Sequence, residues 1–298
     1  MWRGLCRPPT PVRRHFSAAF GARLQLKRKK VSMELVVLGS GGWVPTARRA
    51  TTCMALRLGD GPADDLWLFD AGTGLARLGE ARFRRLIPQT GTIHLWFSHL
   101  HLDHTVGLTF IAALWRNPTV IHVPAFAAAE FGPDVLERLV SPPFYPRRLS
   151  QFELDVKVEF VEPTDGPGVS MDLALPMSVR EQRHPGGSLG FRVGDALAFL
   201  TDTVYDPRAV EFVRGAKVLV HEAWSWEEDG TDKTRESLTG HTSAEDAARV
   251  ARDAGVGELL LGHLSPLKDD RYHAEMRRRA QAIHPRTDLC EDGLVRSL

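Results

Sequence analysis

A repeated local pattern constrains the fold of this chain more than any other feature of its sequence. Short apolar runs recur along it, and each is followed by a polar residue capable of chemistry and then by glycine or a helix-like segment. Runs of this length between turn-forming residues indicate strands that are buried on both faces. The predicted strands cover residues 34–38, 66–69, 93–97, 196–201, 217–220 and 259–262.

Helical patterns lie between several of these strands, over residues 104–116, 126–139, 243–254 and 270–282. The third of them has clear boundary signals, with Ser243 as N-cap and Gly255 just past its end. Strands that alternate with helices predict a layered α/β architecture. Ligands of such proteins bind beyond the carboxyl ends of the strands. We therefore expect the polar residues that follow the strands to form one site.

The basic residues are distributed very unevenly. Residues 1–33 contain nine Lys or Arg and no acidic residue, whereas residues 34–298 contain 29 basic and 37 acidic residues, a net charge of −8. We predict a single domain over 33–298 and a basic N-terminal extension over 1–32. The extension is interpreted as a disordered tail or a start-site artefact before Met33, as an organelle-targeting segment, or as an arm that contacts a polyanion. We expect a cytoplasmic protein unless that extension directs it to an organelle.

Composition excludes several classes of protein. A nucleic-acid binder normally has a basic surplus on its folded part, and this chain has the reverse. No apolar run reaches the length of about 18 residues that a spanning helix needs, so we expect no membrane association. Cys6, Cys53 and Cys290 are far apart and odd in number, and they indicate neither a disulfide framework nor a metal knuckle.

The most specific motif is His99-x-His101-x-Asp103-His104. In an extended segment, alternate residues share a face, so the first three of these side chains can converge, and His104 can turn back from the start of the next helix. Imidazole and carboxylate are the ligands that suit a catalytic zinc ion. One tetrahedral ion cannot use all four groups and keep an open position, so the motif predicts two ions.

Three more residues that follow predicted strands or turns are expected to complete the two ligand sets: His184, Asp202 and His263. In this prediction His99, His101 and His184 hold one ion. Asp103, His104 and His263 hold the other, and Asp202 bridges the two. The predicted cofactor is a pair of Zn²⁺ ions, with Mn²⁺ or Fe²⁺ as alternatives. Asp70, which follows residues 66–69, is expected to brace the metal-binding loop, or else to be a plain turn residue.

Such a centre suits the cleavage of a phosphodiester. Two divalent ions lower the pKa of water held between them and leave a net positive charge for an anionic phosphate. The departing alkoxide then needs a proton, and Glu222 with His241 is the natural donor pair, because the carboxylate orients the imidazole. The alternative is that His241 is a solvated residue beside an ordinary helix entry at Thr242-Ser243.

These motifs resemble the metallo-β-lactamase superfamily, and within it the branch of ribonuclease Z and small phosphodiesterases. The resemblance extends over residues 33–298 and has His-x-His-x-Asp-His as its hallmark. Three further segments carry it: Gly39-Ser40-Gly41-Gly42-x-x-Pro45, the stretch from His184 to Arg192, and His221-Glu222-Ala223 together with His241-Thr242-Ser243. The resemblance implies a four-layer αββα sandwich with a two-metal site at one edge, proton transfer by Glu222 and His241, and assistance by Asp103 as a base. It also implies a homodimer.

The chain departs from that branch in ways that bear on its substrate. Only 17 residues separate His184 from Asp202, where enzymes that trim transfer RNA usually carry a long arm. Their Pro-x-Lys-x-Arg-Asn loop is represented by residues 45–50 without the Lys or the Asn. We therefore expect a small phosphodiester or nucleotide as substrate, with RNA less well supported. The alternatives are a lactone or thioester hydrolase on the same scaffold and a non-catalytic metal-binding protein.

Overall fold

Two mixed β-sheets stacked face to face form the centre of the structure. This is a computed structural model that describes residues 32–59, 61, 64–163, 176–228 and 239–298. The contacts divide the chain between Val31 and Ser32, so the predicted basic extension lies outside the described residues except at Ser32. Both the extension and its boundary remain predictions.

The first sheet has the strand order β13-β1-β2-β3-β4-β5-β6. Its strands β3 to β6 run parallel, and the remaining neighbours pair antiparallel. The strands are β1 (Met33–Gly39), β2 (Cys53–Leu58), β3 (Leu66–Phe69), β4 (Ile93–Trp96), β5 (Thr119–Pro124), β6 (Val156–Val161) and β13 (Val295–Ser297).

The second sheet has the order β12-β11-β10-β9-β8-β7, with β9 to β12 parallel and β7 to β9 antiparallel. Its strands are β7 (Met177–Gln182), β8 (Ser188–Val193), β9 (Leu197–Leu200), β10 (Val218–Glu222), β11 (Glu258–Gly262) and β12 (Thr287–Leu289).

Helices cover the outer face of each sheet. The described helices are α1 (Ala81–Arg84), α2 (Leu102–Thr105), α3 (Ile111–Leu114), α4 (Ala125–Phe131), α5 (Val135–Leu139), α6 (Ala209–Val213), α7 (Ala244–Asp253) and α8 (Asp270–Ile283). Short 3₁₀ segments lie at Thr73–Gly79, Val106–Phe110 and Leu149–Gln151. Within the described residues, no helix has the length and apolarity needed to cross a membrane.

Three buried apolar clusters fill the spaces between these layers. The central cluster lies between the two sheets and includes Trp67, Trp96 and Phe191. The other two lie between each sheet and its own helices, for example around Leu75 on one side and Ala247 on the other. The structure therefore has the layer order helix, sheet, sheet, helix, which confirms the predicted αββα sandwich.

The predicted helices are only partly continuous. The helices predicted over 243–254 and 270–282 are present as α7 and α8, and the Ser243 hydroxyl caps α7 by accepting a hydrogen bond from Asp246 N at 3.2 Å. The prediction of one helix over 126–139 is wrong, because Gly132 at φ 90° and the adjacent Pro133 separate α4 from α5. The prediction over 104–116 is also wrong, since the segment tightens into a 3₁₀ turn between α2 and α3.

A buried carboxylate ties the loop after β1 to the C-terminal part of the chain. Asp292, whose side chain is 5% exposed, accepts hydrogen bonds from Ser40 N, Ser40 Oγ and Ala50 N at 2.9, 2.7 and 2.7 Å. It also pairs with Arg77 at 2.9 Å. This loop carries Trp43, which contacts the functional site described below, so Asp292 fixes one wall of that site.

We expect Asp292→Ala to lower the free energy of unfolding by about 2–4 kcal/mol, because it leaves several partly buried donors without an acceptor. The measurement is urea unfolding in the presence of a chelator. The matched control is Asp288→Ala, because Asp288 is 45% exposed and pairs with Arg277 at the surface, and we expect it to cost less than about 1 kcal/mol. Equal losses in the two variants would contradict the tethering role of Asp292.

Candidate metal centre

The carboxyl ends of the parallel strands in both sheets meet at one edge of the sandwich. Asp70 directly follows β3, His99 lies just after β4, Asp202 follows β9, Glu222 ends β10 and His263 follows β11. His184 enters from the turn between β7 and β8. The structure thus places all of the predicted ligand residues close together, although their assignment as ligands remains a proposal.

His99, His101 and His184 form one group. His99 Nε2 lies 2.9 Å from His101 Nδ1, and His184 Nε2 lies 3.3 Å from that same atom. One ligand atom from each of these residues falls within 4.8 Å of the other two, so the three side chains could hold a single ion.

Asp103, His104 and His263 form a second group with the same property. Asp103 Oδ2 is 3.4 Å from His104 Nε2 and 3.3 Å from His263 Nε2. Trp43 N donates a hydrogen bond of 2.7 Å to the same carboxylate oxygen. The Asp103 carboxylate is thereby fixed between two imidazoles and the loop after β1.

Asp202 lies between the two groups and contacts both. Its Oδ1 is 4.0 Å from His99 Nε2 and 3.8 Å from His184 Nε2. Its Oδ2 is 3.2 Å from His104 Nε2 and 3.4 Å from His263 Nε2. This is the arrangement expected of a carboxylate that bridges two cations.

The chemistry of the donors fits divalent metal ions. In three of the histidines the ring nitrogen that points away from the cluster is held by an oxygen: His99 Nδ1 by Ser98 Oγ at 3.0 Å, His104 Nδ1 by Asp70 Oδ2 at 2.8 Å, and His184 Nδ1 by Gly240 O at 3.1 Å. Such outer contacts are the usual way in which metal-binding histidines are oriented. In addition, His104 Nε2 is fully buried and makes no hydrogen bond of normal geometry, although carboxylate oxygens of Asp202 and Asp103 lie 3.2 and 3.4 Å from it.

The electrostatics of the metal-free chain are consistent with this. Burial lowers the pKa of His99 well below its ordinary value and lowers the pKa of His184 to about 4, so both rings are in the neutral form that binds metal. Burial also opposes charge on His104, but the carboxylates of Asp202 and Asp70 outweigh it and raise the pKa of His104. A cation at the centre would take over the role of that charged imidazole.

The backbone is strained at this edge. Trp43, Asp70, Asp202 and His263 have φ values of 60°, 60°, 46° and 51°, a region that residues other than glycine rarely adopt. Strain of this kind clusters at functional sites, where the surrounding structure enforces it. Each of these residues contributes a side chain or a backbone N–H to the centre. The strained backbone conformations therefore direct polar groups toward the centre.

Glu222 and His241 form a dyad beside the two groups. His241 Nδ1 is 2.8 Å from Glu222 Oε2, and the Glu222 side chain is buried. Thr203 N donates a hydrogen bond to Glu222 Oε1. Burial raises the pKa of Glu222, while His241 partly offsets that effect. One ligand atom of His241 also lies within 4.8 Å of ligand atoms of Asp202 and His263, so the dyad borders the centre directly.

Sequence reasoning missed several residues that shape the site. The ring of His263 packs so closely on Gly42 that a Cβ there would lie 2.5 Å from it, which explains the glycine at this position. The sequence also does not predict the contacts by which Ser98 and the carbonyl of Gly240 orient the imidazoles of His99 and His184, since neither residue type indicates such a role. Asp70 accepts hydrogen bonds from Ser98 N and Ser98 Oγ and contacts His104, and these contacts suit the bracing role predicted for it.

The two tryptophans after β10 differ in their surroundings. The ring of Trp224 is stacked on that of His241, whereas Trp226 contacts Tyr272 and Arg279 of α8. The loop over residues 142–148 presents the side chain of Phe144 to solvent with 87% exposure. Trp224 is thus in direct contact with His241, a predicted site residue.

Comparisons with known proteins agree with the fold. Residues 67–264 match the family model described as the beta-lactamase superfamily domain. Ribonuclease BN of Escherichia coli (strain K12) is 28% identical over 310 residues, which cover 88% of this chain and 99% of that protein.

Solved structures share the architecture. The metallo-beta-lactamase fold protein YhfI from Bacillus subtilis has a TM-score of 0.68 and 22% identity, covering 89% of this chain and 99% of that one. The short form of human tRNase Z has a TM-score of 0.63 and 21% identity, covering 88% of this chain and 98% of that one.

The structure has the metallo-β-lactamase fold, and its cluster of imidazoles and carboxylates could hold metal ions. More specifically, because the family model spans about two thirds of the sequence, the chain belongs to the beta-lactamase superfamily.

A histidine outside the candidate metal centre leads to a prediction about how the stability of the protein depends on pH. His122 is buried, stacks on Trp96 with ring centroids 3.6 Å apart, and lies 3.1 Å from His94. Burial lowers the pKa of His122 to about 3, whereas the unfolded chain has a value of about 6.5 there. Between these pH values the unfolded state binds a proton that the folded state does not, so stability falls as the pH falls.

We expect His122→Phe to reduce the slope of unfolding free energy against pH between about pH 6 and 4 by roughly 1.4 kcal/mol per pH unit. Urea unfolding of the metal-free protein at several pH values measures that slope. An unchanged slope would show that His122 does not titrate differently in the two states.

Proposed function

We propose that this protein is a dinuclear metal-dependent phosphodiesterase that acts on a small phosphodiester. The observation that supports the proposal most is the pair of ligand groups joined by Asp202, with the Glu222–His241 dyad at their border. Two Zn²⁺ ions are the proposed cofactor, and Mn²⁺ or Fe²⁺ would suit the same donors.

The proposed ligand sets follow the two groups. His99, His101 and His184 would hold one ion, and Asp103, His104 and His263 the other, with Asp202 shared. When bound, the ions supply Lewis acidity: they activate water and neutralise the charge of the phosphate. Asp70, Ser98 and Gly240 keep the imidazoles oriented through the contacts described above.

The dyad supplies the proton that the departing oxygen needs. Glu222 engages His241 at Nδ1, so proton donation would fall to Nε2. Burial of Glu222 against Thr203 N and His241 holds that carboxylate in a single orientation. Asp103 would assist as a base, because its carboxylate is fixed by Trp43 N and is the more exposed of the two acidic groups in the cluster.

A small substrate is favoured over a folded RNA. The segment between His184 and Asp202 contains only the β8–β9 hairpin, which closes in a tight turn at residues 194–196. Residues 34–298 carry a net charge of −8, unlike an RNA-binding surface. The relatives named ribonuclease BN nevertheless make RNA the competing substrate, so a test must include it.

The first test concerns metal content and turnover together. We expect the purified protein to bind about two zinc ions and to hydrolyse bis-p-nitrophenyl phosphate. Asp202→Ala should lose at least one ion and lower turnover by roughly three orders of magnitude or more, because it removes the shared ligand. Elemental analysis and the release of p-nitrophenolate are the measurements.

Asp195→Ala is the matched control, because that aspartate is 87% exposed on the same hairpin and should change neither quantity. The substrate panel comprises cyclic nucleotides, linear dinucleotides, precursor RNA, a lactone and a thioester. A protein with two ions bound that cleaves no phosphodiester would contradict the proposal, and preferential cleavage of the lactone or thioester would replace it.

The second test separates the dyad from the ligands. We expect His241→Ala to keep both ions but to lower kcat on diphenyl phosphate, whose phenol leaving group needs a proton, by about 10²- to 10⁴-fold, the usual contribution of a general acid. Elemental analysis of the same preparation used for kinetics checks both parts. Loss of metal would instead assign His241 to the ligand set, and unaltered kcat would exclude it from proton transfer.

A further inference from the structure

We propose that Trp224 is a positioning residue for the reaction: its indole holds the His241 imidazole in the orientation from which it donates a proton. The inference rests on the proposed function and deepens it, since it adds a residue that acts on the dyad rather than on the substrate.

The stack between the two rings is the main observation. The ring centroids of Trp224 and His241 are 4.5 Å apart, and their planes differ by only 10°. The indole also lies 5.5 Å from the ring of His263 at an angle of 34°. The indole therefore covers a face of the imidazole at the border of the proposed metal centre.

The backbone on both sides of the stack is fixed. Trp224 N donates a hydrogen bond of 2.9 Å to Thr242 O, the residue after His241. Ser225 and Ser243 form an isolated parallel β-bridge, and Ala244 N donates a hydrogen bond of 2.8 Å to Ser225 O. These contacts hold residues 224–225 beside residues 242–244, and this pairing fixes the position of the Trp224 ring relative to the His241 ring.

The stack and the carboxylate constrain His241 in complementary ways. The hydrogen bond of 2.8 Å that His241 Nδ1 donates to Glu222 Oε2 fixes one edge of the imidazole but still allows the ring to tilt about that contact. A parallel indole 4.5 Å away opposes this tilting, because it restrains the plane itself. Together they restrict the direction in which Nε2 points, and general acid catalysis depends on that direction.

The experiment uses two substrates that differ in their need for a proton. Bis-p-nitrophenyl phosphate releases an acidic phenol that needs little protonation, whereas diphenyl phosphate releases a less acidic phenol that needs more. The variants are Trp224→Leu, which removes the aromatic face, and Trp224→Phe, which keeps one. Each is made in the full-length, zinc-loaded enzyme and also in the His241→Ala background.

If Trp224 acts through His241, Trp224→Leu should lower kcat on diphenyl phosphate by about tenfold, the factor that an aromatic pair contributes, with KM within about twofold. The loss on bis-p-nitrophenyl phosphate should be smaller, and Trp224→Phe should recover most of it. In the His241→Ala background, Trp224→Leu should cause no further loss, because its target is gone.

Two measurements separate this role from a structural one. Trp226→Leu is the matched control, since that indole contacts Tyr272 and Arg279, and it should leave kcat unchanged. Independently of activity, the ring protons of His241 should resonate upfield in the NMR spectrum because of the indole ring current. They should move downfield in Trp224→Leu, at unchanged metal content.

Several results would overturn the assignment. An equal loss from Trp224→Leu with and without His241, or a rise in KM on both substrates, would make Trp224 a substrate contact or a general support of the site. Unshifted His241 protons would show that the rings do not stack. Failure of the wild-type enzyme to cleave either diester would overturn the proposed function itself, whereas normal cleavage with additive variants would overturn only the role of Trp224.

Discussion

A buried carboxylate surrounded by imidazoles is the constraint on which the rest of this structure depends. Asp202 is 2% exposed and lies within 4.0 Å of His99, His104, His184 and His263. Burial of a carboxylate is unfavourable unless cations or hydrogen-bond donors compensate it. Thr201 Oγ1 donates one hydrogen bond of 2.6 Å to Asp202 Oδ2, and positive charge at the centre must supply the rest of the compensation for burying this carboxylate. In the metal-free chain the protonated imidazole of His104 supplies it, and in the proposed enzyme two metal ions take that role.

The direction of the strands and local backbone strain place the polar groups at one edge of the sandwich. Strands β3 and β4 of one sheet and β9, β10 and β11 of the other end at this edge, so residues distant in sequence meet there. The left-handed backbone at Asp70, Asp202 and His263 turns the chain immediately after a strand and aims each side chain inward. The stability for this geometry comes from the three apolar clusters, because the site itself is built of groups that are costly to bury.

How much could be predicted from the sequence depends on the kind of residue. The fully buried strands β3, β4 and β9 stand out as continuous apolar runs, and the His-x-His-x-Asp-His spacing places four of the proposed ligands. Strands that mix polar residues, Gly or Pro with apolar ones were not predicted, and these include β2, β5 and β8 inside the sheets as well as the edge strands β6 and β7. The strand β6 reads Val-Lys-Val-Glu-Phe-Val and leaves Val158 and Phe160 exposed, and β7 ends in Arg-Glu-Gln with mainly alternate residues buried. The outer contacts of Ser98 and Gly240 and the stack of Trp224 on His241 depend on how distant loops pair, which no local pattern encodes.

The most direct test of this account is a crystal structure of the zinc-loaded protein with anomalous diffraction data measured on both sides of the zinc absorption edge. The account predicts two zinc peaks, one bound by His99, His101 and His184 and the other by Asp103, His104 and His263, with Asp202 in contact with both. A single peak, or two peaks of which one lies away from Asp202, would contradict it.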